Sequence, residues 1–243
     1  MSKKINFWPA RMDLLQSLTG LMLVIFIWGH MFFESSILLG KDAMYWVSRM
    51  FEGEYIFGKP YPLLVSGVVA AIFVLIALHA ILALRKFPGS YRQYHQFHQH
   101  MGALRHSDTT LWYLQVVTGF AMFFLASAHL YVVFVQPENI GPYASSDRVW
   151  TGRFWILYAL LLISVHLHAG IGIYRLAMKW GPLSGTNTKR VRARLKIAMW
   201  CIIGFFLLLG SVTLLTYMKI GWEHADRAGE RYVPGGAPHQ VDK

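Results

Sequence analysis

Four histidines, His30, His79, His129 and His168, stand inside long apolar segments of the chain. A polar, titratable ring at membrane depth is expensive, so such a residue marks a functional site by default. Two of the four repeat the same surroundings. Gln16, Thr19, Gly20 and His30 recur as Gln115, Thr118, Gly119 and His129: both copies read Q-x-x-T-G, then nine mostly apolar residues, then His. His79 (ALHAILALRK) and His168 (HLHAGIGIYRLAMK) lie in two further apolar segments, each followed by basic side chains. One ring on each of four segments suggests two pairs, and a pair of imidazoles in a helical bundle suggests b-type haem.

The elements that must position these rings follow from composition. With 243 residues, 55% hydrophobic and 14% charged, and a mean hydropathy of +0.40, the chain is too apolar for a soluble domain of this length. Five stretches, near 14–35, 61–84, 109–135, 154–178 and 196–219, are long enough to cross a hydrocarbon core of about 30 Å as helices. Helices are required because an open sheet would leave backbone groups unsatisfied in lipid. The expected fold is all-α: a bundle of five transmembrane helices within residues 1–219, followed by an outer-side tail, 220–243. The first apolar run contains Gln16, Ser17 and His30, and no small-residue cleavage site follows it, so it reads as a helix and not as a removable signal. The single cysteine, Cys201, excludes an internal disulfide and a cysteine-held cluster.

Charge orients the bundle. The N-terminal segment, the 85–107 connection and the region around 175–196 carry 14 Lys/Arg against Asp13 and Asp108, whereas the opposite side carries 9 Lys/Arg against 10 acids. The positive-inside rule puts the N-terminus in the cytoplasm and, after five crossings, the C-terminus outside. The net charge of +11 is this asymmetry. It implies a basic face for anionic headgroups or a docked soluble partner, and no nucleic-acid function. With that topology His30 and His129 share an outer depth, and His79 and His168 an inner one. Gly20 and Gly119, each ten residues before a histidine, sit about 15 Å along the axis from it, near the depth of the inner pair. A missing side chain there would let a macrocycle or a neighbouring helix come close.

Other polar residues are candidates for supporting roles. Gln16, Ser17 and Trp112 start the first and third segments and Lys179 ends the fourth; they could hold haem propionates, or cap and anchor the helices. The HQFHQH run in the inner connection has no acid or cysteine nearby and reads as a solvated or partner-contacting loop. His166, two positions before His168, points to another face of its helix. Glu52 and Glu54 (FEGEYIFGKP) lie in the outer connection between the first two segments. Oxidising a quinol releases two protons, so a site near an outer haem needs a proton acceptor facing outside.

The strings LTG-x9-HMFFESSILLG, FEGEYIFGKP, ALRKFPGSYRQY, LRHSDTTLW, TGFAMFFLASAHLY, QPENIGP and HLHAGIGIYRLAMKWG resemble the dihaem cytochrome b subunit of quinol:fumarate reductases, the single-anchor, two-haem type of the succinate:quinone oxidoreductase superfamily. The likeness covers about residues 10–182. It implies an anchor in the bacterial cytoplasmic (inner) membrane carrying two haem b, with His79 and His168 ligating the inner haem and His30 and His129 the outer. It implies Glu52, rather than Glu54, as the menaquinol-site acid, and Gln16, Ser17, Trp112 and Lys179 as contacts of the inner propionates. The implied partners are a flavoprotein subunit with FAD and an iron–sulfur subunit on the cytoplasmic face, an assembly that can extend to a dimer of such heterotrimers. Where some family members carry a glutamate thought to move protons inward, this chain has His166; imidazole can also relay protons. The expected reaction is menaquinol oxidation coupled to fumarate reduction in anaerobic respiration. The reverse, a succinate:menaquinone reductase, and a haem-free histidine-based transporter are the alternatives.

Overall fold

The structure is a computed structural model that describes residues 6–87, 89–104, 107–181 and 188–235, apart from the side chains of 97, 98 and 100–104. His106 and the side chains of His98 and His100 thus lie outside the described residues. Among the described residues there is no strand. The helices are α1 (Trp8–Glu34), α2 (Lys41–Phe51), α3 (Glu54–Phe57), α4 (Leu63–Leu84), α5 (Tyr91–Leu104), α6 (Ser107–Val135), α7 (Pro142–Val149), α8 (Trp155–Trp180) and α9 (Thr188–Glu223).

Five of these, α1, α4, α6, α8 and α9, are long and apolar enough to cross a membrane. The protein is a multi-pass membrane protein, and its surface shows the inversion that lipid demands. Val74, Phe124 and Leu208 are 68%, 70% and 68% exposed, while Thr19, Thr118 and His166 are buried. In water such an apolar surface would be strongly unfavourable. Against acyl chains it carries no penalty, and the polar groups turn inward to find partners.

Two long helices extend beyond their apolar stretches. α1 begins at Trp8 and α9 at Thr188, because their first turns hold Arg11 and Asp13, or Lys189, Arg190, Arg192 and Arg194. Arginine and lysine are good helix formers that a hydropathy reading passes over. Four short helices, α2, α3, α5 and α7, occupy connections that carry no apolar stretch of membrane-spanning length.

The chain forms two compact units. The first comprises Met1–Trp28, Ala71–Phe124 and Ile163–Phe205; the second comprises Gly29–Ala70, Leu125–Leu162 and Phe206–Lys243. Each takes a segment of all five long helices. In the second unit, Ile37, Met44 (α2), Val149 (α7) and Tyr217 (α9) form a buried cluster against which Tyr158 and Leu214 pack. That cluster seats α2, an amphipathic helix. Gly53, in the left-handed region at φ +79°, ends α2 immediately after Glu52, as glycine does where a side chain would be strained. Glu52 therefore sits at the C-cap of a packed helix and not in a free loop.

Candidate functional site

In the first unit the Q-x-x-T-G turns of α1 and α6 do the positioning. Thr19 Oγ1 bonds back to the carbonyls of Leu15 (2.9 Å) and Gln16 (3.1 Å), a local bond that suits a hydroxyl inside a helix. The same oxygen stands 3.1 Å from His79 Nδ1. With its proton turned to a carbonyl, the hydroxyl accepts, so Nδ1 carries the proton and Nε2 is left for a metal. Thr118 repeats the local bonds, to Leu114 (2.7 Å) and Gln115 (3.1 Å). Here His168 Nδ1 donates directly to the Gln115 carbonyl at 2.8 Å, again freeing Nε2. Outer hydrogen bonds of this kind fix the tautomer and ring orientation of metal-ligating histidines.

The glycines complete the arrangement. A Cβ at Gly20 would stand 2.9 Å from His79 Cε1, and one at Gly119 would stand 3.0 Å from His168 Cε1. It is the histidine rings that come close at these two positions. The His79 and His168 centroids are 6.5 Å apart, with the rings 82° to one another. A metal–imidazole distance of about 2 Å on each side places two ligating rings roughly 6 Å apart.

The four residues expected at the inner propionates all belong to this unit. Lys179 Nζ pairs with Asp13 at 3.2 Å, alongside Arg85 (2.6 Å) and Lys86 (2.9 Å). Ser17 Oγ donates to the Asp13 carbonyl at 2.8 Å and accepts from Trp180 Nε1 at 3.1 Å. Asp13 thus gathers Ser17 and Lys179. Trp112 stands beside Phe87 at 6.4 Å between centroids. Gln16 Oε1 is buried with no hydrogen-bond partner among the described residues; since the two ends of an amide are interchangeable, it offers a buried polar atom to an incoming group. His166 is 2% exposed, in the same unit.

In the second unit the His30 and His129 centroids are 6.2 Å apart at 48°, again the spacing for one metal atom between two rings. His129 Nδ1 is 3.4 Å from the Tyr158 hydroxyl, a long bond and hence a weak one. Tyr217 donates to Glu34 Oε2 at 3.1 Å, and Arg148 donates to the Asn139 carbonyl. Glu52 is 4% exposed and pairs with Arg49 at 2.7 Å, while Arg49 also reaches Glu54 at 3.6 Å. Burial pushes the Glu52 carboxyl above the ordinary carboxylate range, against the pull of Arg49. It borders a cavity of about 370 Å³, at the small end of ligand pockets.

Among the described residues no three or more His, Cys, Asp or Glu gather as a direct metal site. Pairs are what a macrocycle-held iron takes from a protein, since the macrocycle supplies the other ligands. The residues fit haem in both units. Arg49 and Tyr158 escaped the sequence reading, and nothing in spacing marked them. The supporting roles of Thr19 and Gln115 were signalled by the repeat.

Residues 90–210 match the model of the succinate dehydrogenase/fumarate reductase transmembrane subunit. The chain is 47% identical over 224 residues, 92% of its length and 88% of the relative's, to the fumarate reductase cytochrome b subunit of Wolinella succinogenes. It is 48% identical over 217 residues, 89% of its length and 84% of the relative's, to the protein of the same description from Helicobacter pylori. The chain belongs to this family. It is a membrane-anchor subunit of the fumarate reductase type. The matched span of the anchor includes two of the four histidines, His129 and His168.

Proposed function

We propose that this anchor oxidises menaquinol at the cavity beside Glu52 and passes the electrons through two b haems to an iron–sulfur subunit and a flavoprotein subunit that reduce fumarate to succinate. The observation that carries this reading is the pair of facing histidines in each unit, at 6.5 and 6.2 Å. The names of the relatives, fumarate reductase cytochrome b subunits, support the haem and the reaction. Bound haem would supply one-electron transfer at a potential set by ligation and burial. His79 with His168, and His30 with His129, would each hold one haem iron through their ring nitrogens. Gln16, Ser17, Trp112 and Lys179 would hold propionates of the His79–His168 haem.

The chain's own chemistry in the reaction is proton transfer. Menaquinol loses two electrons and two protons on becoming menaquinone. Glu52 takes the two hydroxyl protons in turn, one with each electron that leaves, and passes each to the outside face before accepting the next. Arg49 holds the carboxylate in place. Fumarate takes two electrons and two protons on the partner flavoprotein. In this reading the basic side of the chain, with its N-terminus, faces the cytoplasm of the bacterial inner membrane, where the soluble subunits dock. His166, at the position where the resemblance implies an acid in some family members, is a proposed carrier of protons inward. Its test is the potential developed in liposomes by wild type and His166→Ala during quinol-driven turnover, with identical traces removing that role.

The test of the whole reading is purification of the complex from native membranes. A dithionite-reduced spectrum should give a b-type α-band worth two haems per anchor, and quinol-driven fumarate reduction should exceed succinate-driven quinone reduction. Absence of the band would overturn the haem reading, and the opposite ratio would reverse the direction. A haem-free transporter would need broken helices, but the segments bearing the four histidines are each continuous helix.

A further inference from the structure

Neither the haems nor Glu52 explains why the segment after α9 is so firmly tied down. His224 is 2% exposed. Its Nδ1 meets Asp147 Oδ1 at 3.0 Å, and its ring stacks on Tyr143 at 3.9 Å and 14°. The other Asp147 oxygen accepts from the Gly229 amide at 2.9 Å. Tyr232 donates to Asp42 at 2.6 Å, and this bond holds its hydroxyl protonated, pushed up to about 12. Lys41 lies over the rings of both Tyr143 and Tyr232, at 5.1 and 5.9 Å. Lys41 and Asp42 open α2, the helix that ends at Glu52. All these residues belong to the second unit. A segment held at three points, two of them on one partly buried carboxylate, Asp147, has given up considerable conformational entropy.

The straps deliver Gly229, Glu230, Arg231 and Tyr232 to the wall of the cavity that Glu52 borders. Glu52 needs what Arg231 brings. Its ion-pair partner among the described residues, Arg49, is shared with Glu54, so one cation stands between two carboxylates, one of them buried. Burial disfavours the charged form, and a nearby opposite charge restores it. The field of Arg231 acts on Glu52 in that direction. The cavity's other charged walls are Glu138, Asp147, Arg148 and Glu230, and its phenols are Tyr45, Tyr143 and Tyr232.

We propose that residues 224–235 are a working wall of the quinol site, and that Arg231 is a positioning residue whose cation stands with Arg49 in keeping Glu52 ready to accept a proton. This rests on Glu52 being the quinol-site acid. The strap residues Asp147, His224 and Tyr232 set where Arg231 stands; they do not touch the quinol's reacting atoms.

The experiment is the pH profile of menaquinol-analogue oxidation by the intact complex, for wild type, Arg231→Gln, Arg231→Lys, Tyr232→Phe and Glu52→Gln. Only ionised Glu52 accepts a proton, so activity falls as pH drops through its ionisation. Loss of Arg231 weakens the ionised form, and the acidic limb should move up by roughly half a pH unit, since an exposed cation is partly screened. Arg231→Lys should restore the limb. Tyr232→Phe, which only loosens the strap, should move it less in the same direction. Haem content and dye-linked fumarate reduction should be unchanged in all four. An unmoved limb in Arg231→Gln, with Glu52→Gln inactive, would overturn the role of Arg231 alone. Normal turnover in Glu52→Gln would overturn the quinol-site reading beneath it.

Discussion

The two units each hold a pair of histidines at nearly the same spacing, 6.5 and 6.2 Å, yet they hold them differently. In the first, His168 is anchored by a backbone carbonyl and His79 by a hydroxyl whose proton is already committed, and both rings lie against glycines. In the second, His129 leans on a phenol at 3.4 Å, and the surroundings include Glu34, Arg148 and the Glu52 cavity. Backbone carbonyls move little; side-chain hydroxyls turn. The first site is built for fixed orientation, and the second lies in the unit that holds Glu52, the proposed proton acceptor. The sequence repeat contributes to both. Gln, Thr and Gly of each copy fall in the first unit and its histidine in the second. Each copy thus gives a histidine to one pair and a brace to the other.

The hardest blow to this comparison is removal of ligands. His79→Ala or His168→Ala should remove one haem and leave the other, and His30→Ala or His129→Ala should do the converse. Haem per anchor should drop from two to one, and a redox titration should keep a single transition whose identity depends on which unit was altered. Two full haem equivalents in any of the four stable variants would break the pairing.

Glu52→Gln should follow in size. It keeps the shape of the side chain and removes the proton acceptor, so quinol oxidation should fall about 10²- to 10⁴-fold. Haem content and dye-linked fumarate reduction should survive, which separates the second unit's proton chemistry from ligation. Normal quinol turnover would return Glu52 to a merely structural capping position.

The glycines sharpen the contrast further. Gly20→Ala places a methyl 2.9 Å from His79 Cε1, and Gly119→Ala places one 3.0 Å from His168 Cε1. Overpacking of this kind costs about 1–3 kcal/mol. Both changes should weaken haem retention in the first unit, seen as loss of one haem on mild heating, while the other stays. Equal loss from both units would show that the glycines serve general helix packing instead.

The fold was legible in the sequence because lipid permits few solutions: apolar runs of membrane-spanning length must be helices, and α1, α4, α6, α8 and α9 are where those runs lie. The histidines were legible because a titratable ring is conspicuous among leucines and phenylalanines. Their facing spacing and their tautomers were not, since these depend on which carbonyl or hydroxyl meets each Nδ1 across helices. α2 went unread although Gly40 and Gly53 bracket it; its apolar residues are too few for a hydropathy run and pack only in the folded cluster with Val149 and Tyr217. The strap was invisible for a related reason. His224, Asp147 and Asp42 are ordinary surface types, and only folding brings them together.

The smallest expected effect compares the braces themselves. Tyr158→Phe deletes the hydroxyl near His129, and Thr19→Val deletes the one near His79 with little change of shape. A hydrogen bond contributes about 1 kcal/mol on average, and a 3.4 Å contact should give less than a 3.1 Å one. The phenol, at the longer distance, should be missed less than a threonine fixed to its own helix by bonds to Leu15 and Gln16. Losing the donor–acceptor bond lowers the basicity of the ligating nitrogen and so raises the potential of its haem. Potentiometric titration of both variants should show the first-unit haem shifted upward in Thr19→Val and a smaller upward shift of the second-unit haem in Tyr158→Phe. A larger shift from Tyr158→Phe would mean that the long contact in the isolated chain tightens once haem is bound, and that the second site is braced as firmly as the first.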